Sequence, residues 1–171
     1  MDGIDGLVCG SFLIITLQYS LLSKDPIYFL LASLLALLIF NWSPAKVFMG
    51  DTGSLFLGSA YFLMLLNQEN IIECIKFILL LSPFIYDCTY TLIKRFLYGH
   101  NIFKPHKMHL YQRLYQSGFS HSKVSLIYIS SIIFLTIKPI YSNIVYLSFS
   151  SALILIFGFL LESKTKFKLD K

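Results

Sequence analysis

Six apolar runs take up most of this 171-residue chain, and their spacing limits what it can fold into more than any other feature. They cover residues 7–22, 27–40, 54–66, 71–93, 124–137 and 140–161, separated by short polar stretches and followed by a lysine-rich tail. Soluble domains carry about 25% charged residues. Here the charged share is 13% and the hydrophobic share 56%, with a mean hydropathy of +0.70. Such a composition excludes disorder, collagen and coiled coil. A helix needs about 20 apolar residues to cross the hydrocarbon core of a bilayer. The spacing therefore predicts an all-α polytopic membrane protein of about six transmembrane helices, forming a single domain over residues 1–171. No internal repeat or low-complexity linker interrupts it. Pro83, within the fourth run, predicts a kink there, because proline removes a backbone donor.

With this length spent on spans, any chemistry has to sit in the loops. All but Lys24, Lys76 and Lys138 of the 14 Lys and Arg residues fall in the 41–53 loop, the 94–123 loop and the tail after residue 161. The positive-inside bias places those segments, and with them both termini, in the cytoplasm. The net charge of +5 is explained by topology, so no nucleic-acid partner is expected. Cys9, Cys74 and Cys88 lie scattered in apolar stretches and form neither a disulfide framework nor a metal pair. The opening Met1-Asp2-Gly3 has no basic leader, so no cleaved signal is expected.

Three polar clusters share the face assigned to the cytoplasm. Asp2-Gly3-Ile4-Asp5-Gly6 has two carboxylates three residues apart with glycines between, which suits a tight turn; the plainer reading is a helix entry capped by Asp. In Met49-Gly50-Asp51-Thr52-Gly53-Ser54, a carboxylate at the membrane surface would bind a hard cation that also holds phosphates, or Asp51 or Thr52 would cap the following helix. The third cluster runs from Gly99 to Leu114 and gathers His100, His106 and His109 with Lys104, Lys107 and Arg113, with His121 close behind. It would hold a polyphosphate while a histidine handles protons, or be a solvated basic loop. His106 and His109 stand three apart, so on a helix they would share a face. No cysteine lies near them and no Glu between them, which makes a zinc site a poor fit. Asp87, inside the fourth run, is either a functional intramembrane carboxylate or a partner of Lys94 or Arg95.

Pro44-Ala45-Lys46-Val47-Phe48-Met49-Gly50-Asp51-Thr52-Gly53-Ser54-Leu55 closely resembles the signature of the polyprenyl-phosphate N-acetylhexosamine-1-phosphate transferase superfamily. This superfamily includes phospho-N-acetylmuramoyl-pentapeptide transferase and the enzymes that begin O-antigen and teichoic acid synthesis. Asp2-Gly3-Ile4-Asp5-Gly6-Leu7 resembles the end of its upstream Asp-Gly motif. The stretch from His106 to Leu114 resembles the histidine loop of the O-antigen branch. The resemblance covers residues 1 to about 130. It implies Mg2+-dependent transfer of a sugar 1-phosphate from a UDP-N-acetylhexosamine to undecaprenyl phosphate, with release of UMP, at the inner membrane of a bacterium. By resemblance Asp51 would be the Mg2+ ligand and catalytic with His109; Phe48 would stack on uracil; Asp2, Gly3, Asp5 and Asn41 would line the uridine pocket; and His106 and Arg113 would help at the pyrophosphate. A homodimer is a family-level expectation.

Members of that superfamily have about ten spans and an Asp-Asp pair in an earlier loop, and this chain has neither, so it reads as the C-terminal half of such a transferase. The alternatives are an inactive membrane remnant, or one half of a split enzyme that pairs with a separately encoded N-terminal half. A rival chemistry, an intramembrane aspartic protease using Asp51 and Asp87, would need those carboxylates to share a proton.

Overall fold

The structure, a computed structural model, describes residues 3–23, 27–104, 106–163 and 165; Asp2, Lys24 and the lysines of the tail lie outside them. Among the described residues every regular element is a helix: α1 Leu7–Leu22, α2 Tyr28–Asn41, α3 Gly50–Leu66, α4 Ile71–Leu80, α5 Ser82–Leu97, α6 Leu110–Gln116, α7 His121–Thr136, α8 Lys138–Ser142 and α9 Ile144–Ser163. The all-α expectation holds. By length and composition α9 is long and apolar enough to cross a membrane, with 20 residues and a hydropathy of 2.4, while α1, α2 and α7 are shorter apolar helices.

The fourth apolar run is not one kinked helix but two. Helix α4 ends at Leu80, and α5 restarts at Ser82 with proline in its first turn. Proline costs nothing there, because the first N–H groups of a helix have no intrahelical acceptor. Polar side chains set other starts. Asn70 Oδ1 accepts the Glu73 N–H at 3.0 Å to begin α4, and Ser120 Oγ accepts that of Lys123 at 3.3 Å to begin α7.

Helix α1 lies between α2 and α7, and α5 packs along α9. Glycines let these backbones approach. A Cβ on Gly10 would stand 2.5 Å from Ile129 Cδ1, and one on Gly158 would stand 2.7 Å from the Tyr86 ring. The core holds Leu7, Ile15, Leu80, Leu114, Val124, Ile132, Leu135 and Leu147, all fully buried. The outer faces of α2, α3 and α9 present Phe29, Leu35, Ile39, Phe56, Phe62, Phe149 and Phe159. Water does not favour an apolar surface of that extent, and hydrocarbon does.

The loops gather at two ends: the ends of α1, α3 and α7 line one cavity, while the starts of α1 and α7 meet the end of α2. At one end a cavity of about 910 Å³ is lined by Gln18, Ser23, Asn67, Glu73, Lys76, Thr136 and Tyr141, among others. At the other end the first two polar clusters are bonded to each other through Gly6–Asn41 and Ala45–Asp5, and His121, which faces Asp5, meets the Tyr115 ring of α6 edge-on.

Candidate active site

The turn over residues 3–6 and the loop after α2 are built onto each other. Gly6 has φ +72, the left-handed region that favours glycine, and a Cβ there would lie 2.7 Å from Cε3 of the Trp42 indole. The Gly6 N–H donates to Asn41 Oδ1 at 3.1 Å. Asn41 Nδ2 donates to the Val47 carbonyl at 2.9 Å. The Asp5 carboxylate accepts the Ala45 N–H at 3.2 Å and lies 3.1 Å from His121 Nδ1. The Asp5 carbonyl accepts the Ser125 hydroxyl at 2.6 Å. Asn41 and Asp5, expected to line a ligand pocket, thus have their polar atoms committed within the protein. Gly3 is exposed. Asp2 lies outside the described residues. His121, at the start of α7, belongs to this junction rather than to the histidine cluster it follows in the sequence.

Phe48 and Asp51 face outward. Phe48 is 65% exposed, and Asp51 is exposed in the first turn of α3. Met49 is the residue that precedes α3, and no side chain caps it, so Asp51 and Thr52 do not play the capping role considered for them. Among the described residues no group of three or more His, Cys, Asp and Glu converges as an all-protein metal cage. Mg2+ commonly binds through one or two carboxylates with substrate phosphates supplying further oxygens, and a single exposed aspartate fits that mode of binding.

The long loop is anchored from beneath by Asp87, which is 1% exposed. Its carboxylate accepts the N–H of Leu110 at 2.6 Å and of Tyr111 at 3.3 Å, at the start of α6. The same carboxylate accepts the Tyr128 hydroxyl at 2.7 Å and the Thr91 hydroxyl at 3.3 Å. His109 Nδ1 stands 3.5 Å from the same group. The pairing of Asp87 with Lys94 or Arg95 considered from sequence is therefore replaced. Lys94 reaches Glu162 at 2.9 Å, and Arg95 donates to the Asn101 carbonyl. The carboxylate sits about two helical turns from those cations, level with the returning loop. Asp51 is exposed and Asp87 is buried with its oxygens occupied, so the two do not form the proton-sharing pair an aspartic protease would need.

His106 and His109 do not share a helical face, because α6 starts only at Leu110. Instead their rings lie 4.9 Å apart in the loop, and His109 stacks on Tyr111 at 5.5 Å. Burial, then the charges of Arg95 and His109, hold the His106 imidazole below its ordinary range. Arg113, expected beside a pyrophosphate, is instead 4% exposed. It donates to the Met108 carbonyl at 2.9 Å and pairs with Glu162 at 3.0 Å. Arg95 was legible in the sequence as a topological charge and a candidate partner of Asp87, not as a site residue. It is 4% exposed, with Nε and Nη1 lacking a hydrogen-bond partner, and a buried guanidinium with spare donors is suited to an anion.

The family described as Glycosyl transferase family 4 matches residues 1–68. A Bacillus subtilis protein named probable undecaprenyl-phosphate N-acetylglucosaminyl 1-phosphate transferase is 36% identical over 147 residues, covering 78% of this chain and 41% of the relative. The decaprenyl-phosphate N-acetylglucosaminephosphotransferase of Mycobacterium tuberculosis is 32% identical over 162 residues, covering 74% and 39%. The phospho-N-acetylmuramoyl-pentapeptide-transferase of Carboxydothermus hydrogenoformans is 33% identical over 147 residues, covering 74% and 41%. The chain thus spans about two fifths of the length of the curated relatives it matches. No solved structure matches it.

Proposed function

The chain belongs to the polyprenyl-phosphate sugar-1-phosphate transferases, within glycosyl transferase family 4, and from that premise we propose that it serves Mg2+-dependent transfer of an N-acetylhexosamine 1-phosphate from a UDP-sugar to undecaprenyl phosphate. The reaction releases UMP and begins a cell-envelope glycan. The observations that carry this reading are an exposed aromatic and an exposed carboxylate on a loop bonded to the Asp-Gly turn, and a histidine loop seated on buried Asp87 beside Arg95.

In the transfer, an oxygen of the acceptor phosphate attacks the phosphorus attached to the sugar. The bond from that phosphorus to the bridging oxygen breaks, and UMP leaves with the oxygen and its charge. Asp51 would hold Mg2+, which neutralises charge on the diphosphate. Phe48 offers its ring to the uracil face. Arg95 presents donors where charge gathers on the departing phosphate, and His109 accepts the proton that the acceptor phosphate gives up as it attacks. The junction of Gly6, Asn41, Asp5 and His121 keeps Phe48 and Asp51 at a fixed place relative to the bundle. About six crossings, with this end in the cytoplasm of a bacterial inner membrane, put the soluble nucleotide and the lipid acceptor at the same surface.

The test is UMP release by membranes carrying this chain, supplied with undecaprenyl phosphate, Mg2+ and a panel of UDP-N-acetylhexosamines. Release above empty membranes that disappears with Asp51→Asn supports the reading. Release that persists with Asp51→Asn contradicts the role of Asp51. If inserted protein yields none, co-expression with the N-terminal spans of a relative decides between half an enzyme, which regains release, and an inactive remnant, which does not.

A further inference from the structure

We propose that Asp87 is a positioning residue for His109, fixing the ring so that Nδ1 carries the proton and Nε2 is the nitrogen offered to the phosphates; this rests on the transferase reading above. The carboxylate is 1% exposed and can only accept. It lies at the crossing of three elements. It receives the hydroxyl of Thr91 from its own helix at 3.3 Å, the Tyr128 hydroxyl from α7 at 2.7 Å, and the Leu110 and Tyr111 N–H groups of α6 at 2.6 and 3.3 Å. All of these donors hold it in one orientation, and each is itself tied to a packed helix.

His109 immediately precedes α6, so the bonds that seat Leu110 and Tyr111 also seat its backbone. Its own N–H is held by Gln112 Oε1 at 3.2 Å. Stacking on Tyr111, with planes 9° apart, limits rotation of the ring. The remaining freedom is which nitrogen bears the proton. Nδ1 stands 3.5 Å from Asp87 Oδ1, longer than a hydrogen bond and short enough to close by a small movement when a ligand seats the loop. An acceptor facing Nδ1 favours the proton there, and the other nitrogen then becomes the reactive one, as in histidines oriented by a buried carboxylate. The His109 side chain keeps 18% of its surface exposed, so one edge of the ring remains open to a ligand.

The test is the histidine nitrogen spectrum of the full chain in lipid nanodiscs, at a pH where the rings are neutral, with His109 assigned by loss of its signals in His109→Gln. The expected result is Nδ1–H as the major His109 tautomer, becoming the minor one in Asp87→Asn, and unchanged in Tyr128→Phe, which keeps the carboxylate. An Nε2–H major form in the unaltered chain would overturn the proposal without any variant having to fold. So would a shift in Tyr128→Phe as large as in Asp87→Asn, which would mean that packing alone decides the tautomer. The readout needs no turnover. A correct tautomer with no UMP release, by the chain alone or with the N-terminal spans of a relative, defeats the transferase reading alone, and release with the wrong tautomer defeats the positioning role alone.

Discussion

The side-chain oxygen of Asn41 accepts the backbone N–H of Gly6 at 3.1 Å while its amide nitrogen donates to the Val47 carbonyl at 2.9 Å. One side chain at the end of α2 thereby satisfies the entry to α1 and the loop that precedes α3. Asn41 is 4% exposed and its bond to Gly6 is buried, so the Gly6 N–H would be stranded without it, whereas Val47, 46% exposed, can turn its carbonyl to solvent. A buried group left unpaired costs about 1–3 kcal/mol. Asn41→Ala should lower stability by roughly 1–3 kcal/mol, read from denaturant or thermal unfolding of the chain in detergent micelles. A loss under about 0.5 kcal/mol, the range of surface substitutions, would contradict the bridge.

Gly6 and Gly3 provide a paired test of the turn. Gly6→Ala forces a side chain into the left-handed region, costing about 1–2 kcal/mol, and drives its Cβ against Trp42. Gly3→Ala meets nothing within 4 Å and should leave the unfolding midpoint unchanged. Equal effects at the two positions would show that the turn is not built as described.

Glu162 joins the end of α9 to the loop through Arg113 and to α5 through Lys94. Removing one partner of a buried pair costs about 3–5 kcal/mol because the other charge stays buried. Glu162→Ala should approach the lower end of that range, since Lys94 is partly exposed and Arg113 keeps its bond to Met108. The double variant Glu162→Ala with Arg113→Met should be more stable than Glu162→Ala alone. A double variant no more stable than the single one would mean that Arg113 is not left stranded.

His106 titrates below its ordinary range, chiefly through burial. A depressed folded value means that the fold accepts the neutral ring better than the charged one. The resulting stability is fully present above the unfolded value of about 6.5 and is lost as pH falls through the folded value. Between pH 7.5 and 5 the unfolding midpoint should fall less in His106→Gln than in the unaltered chain. Identical profiles would contradict the assignment.

Phe48 is 65% exposed, so its truncation should leave the fold intact. Stacking of a base on an aromatic ring is worth about 1–3 kcal/mol. On the transferase reading, Phe48→Ala should weaken UDP binding roughly 5- to 150-fold, measured by calorimetry in nanodiscs, at an unchanged unfolding midpoint. Unchanged affinity would remove Phe48 from the nucleotide site.

The apolar runs were sufficient to predict the helices, because a segment with no unpaired polar side chains and some 15 to 20 apolar residues satisfies its backbone best as a helix. They predicted α1 at its observed bounds and α2 and α7 within a few residues, whereas the sixth run is divided at Asn143 into α8 and α9. The signature around Asp51 and the histidine loop were also legible, since they are contiguous in the chain. The break at Leu81 was only partly so: Pro83 marked the place, but a proline in a first turn and a proline inside a bent helix read alike.

Tertiary structure alone decided what the polar residues do. Arg113 and Asn41 look in the sequence like ligand contacts and are turned inward, by Glu162 and by the Gly6 and Val47 backbone respectively. Asp87 was in one reading a partner for the cations about two turns along its helix, and instead receives a loop from 23 residues further on. Arg95 and His121 carried no motif at all. The physical reason is common to these cases. Helix formation is governed by neighbours along the chain, whereas the partner of a buried polar atom is whichever donor or acceptor the packing of distant helices brings within about 3 Å.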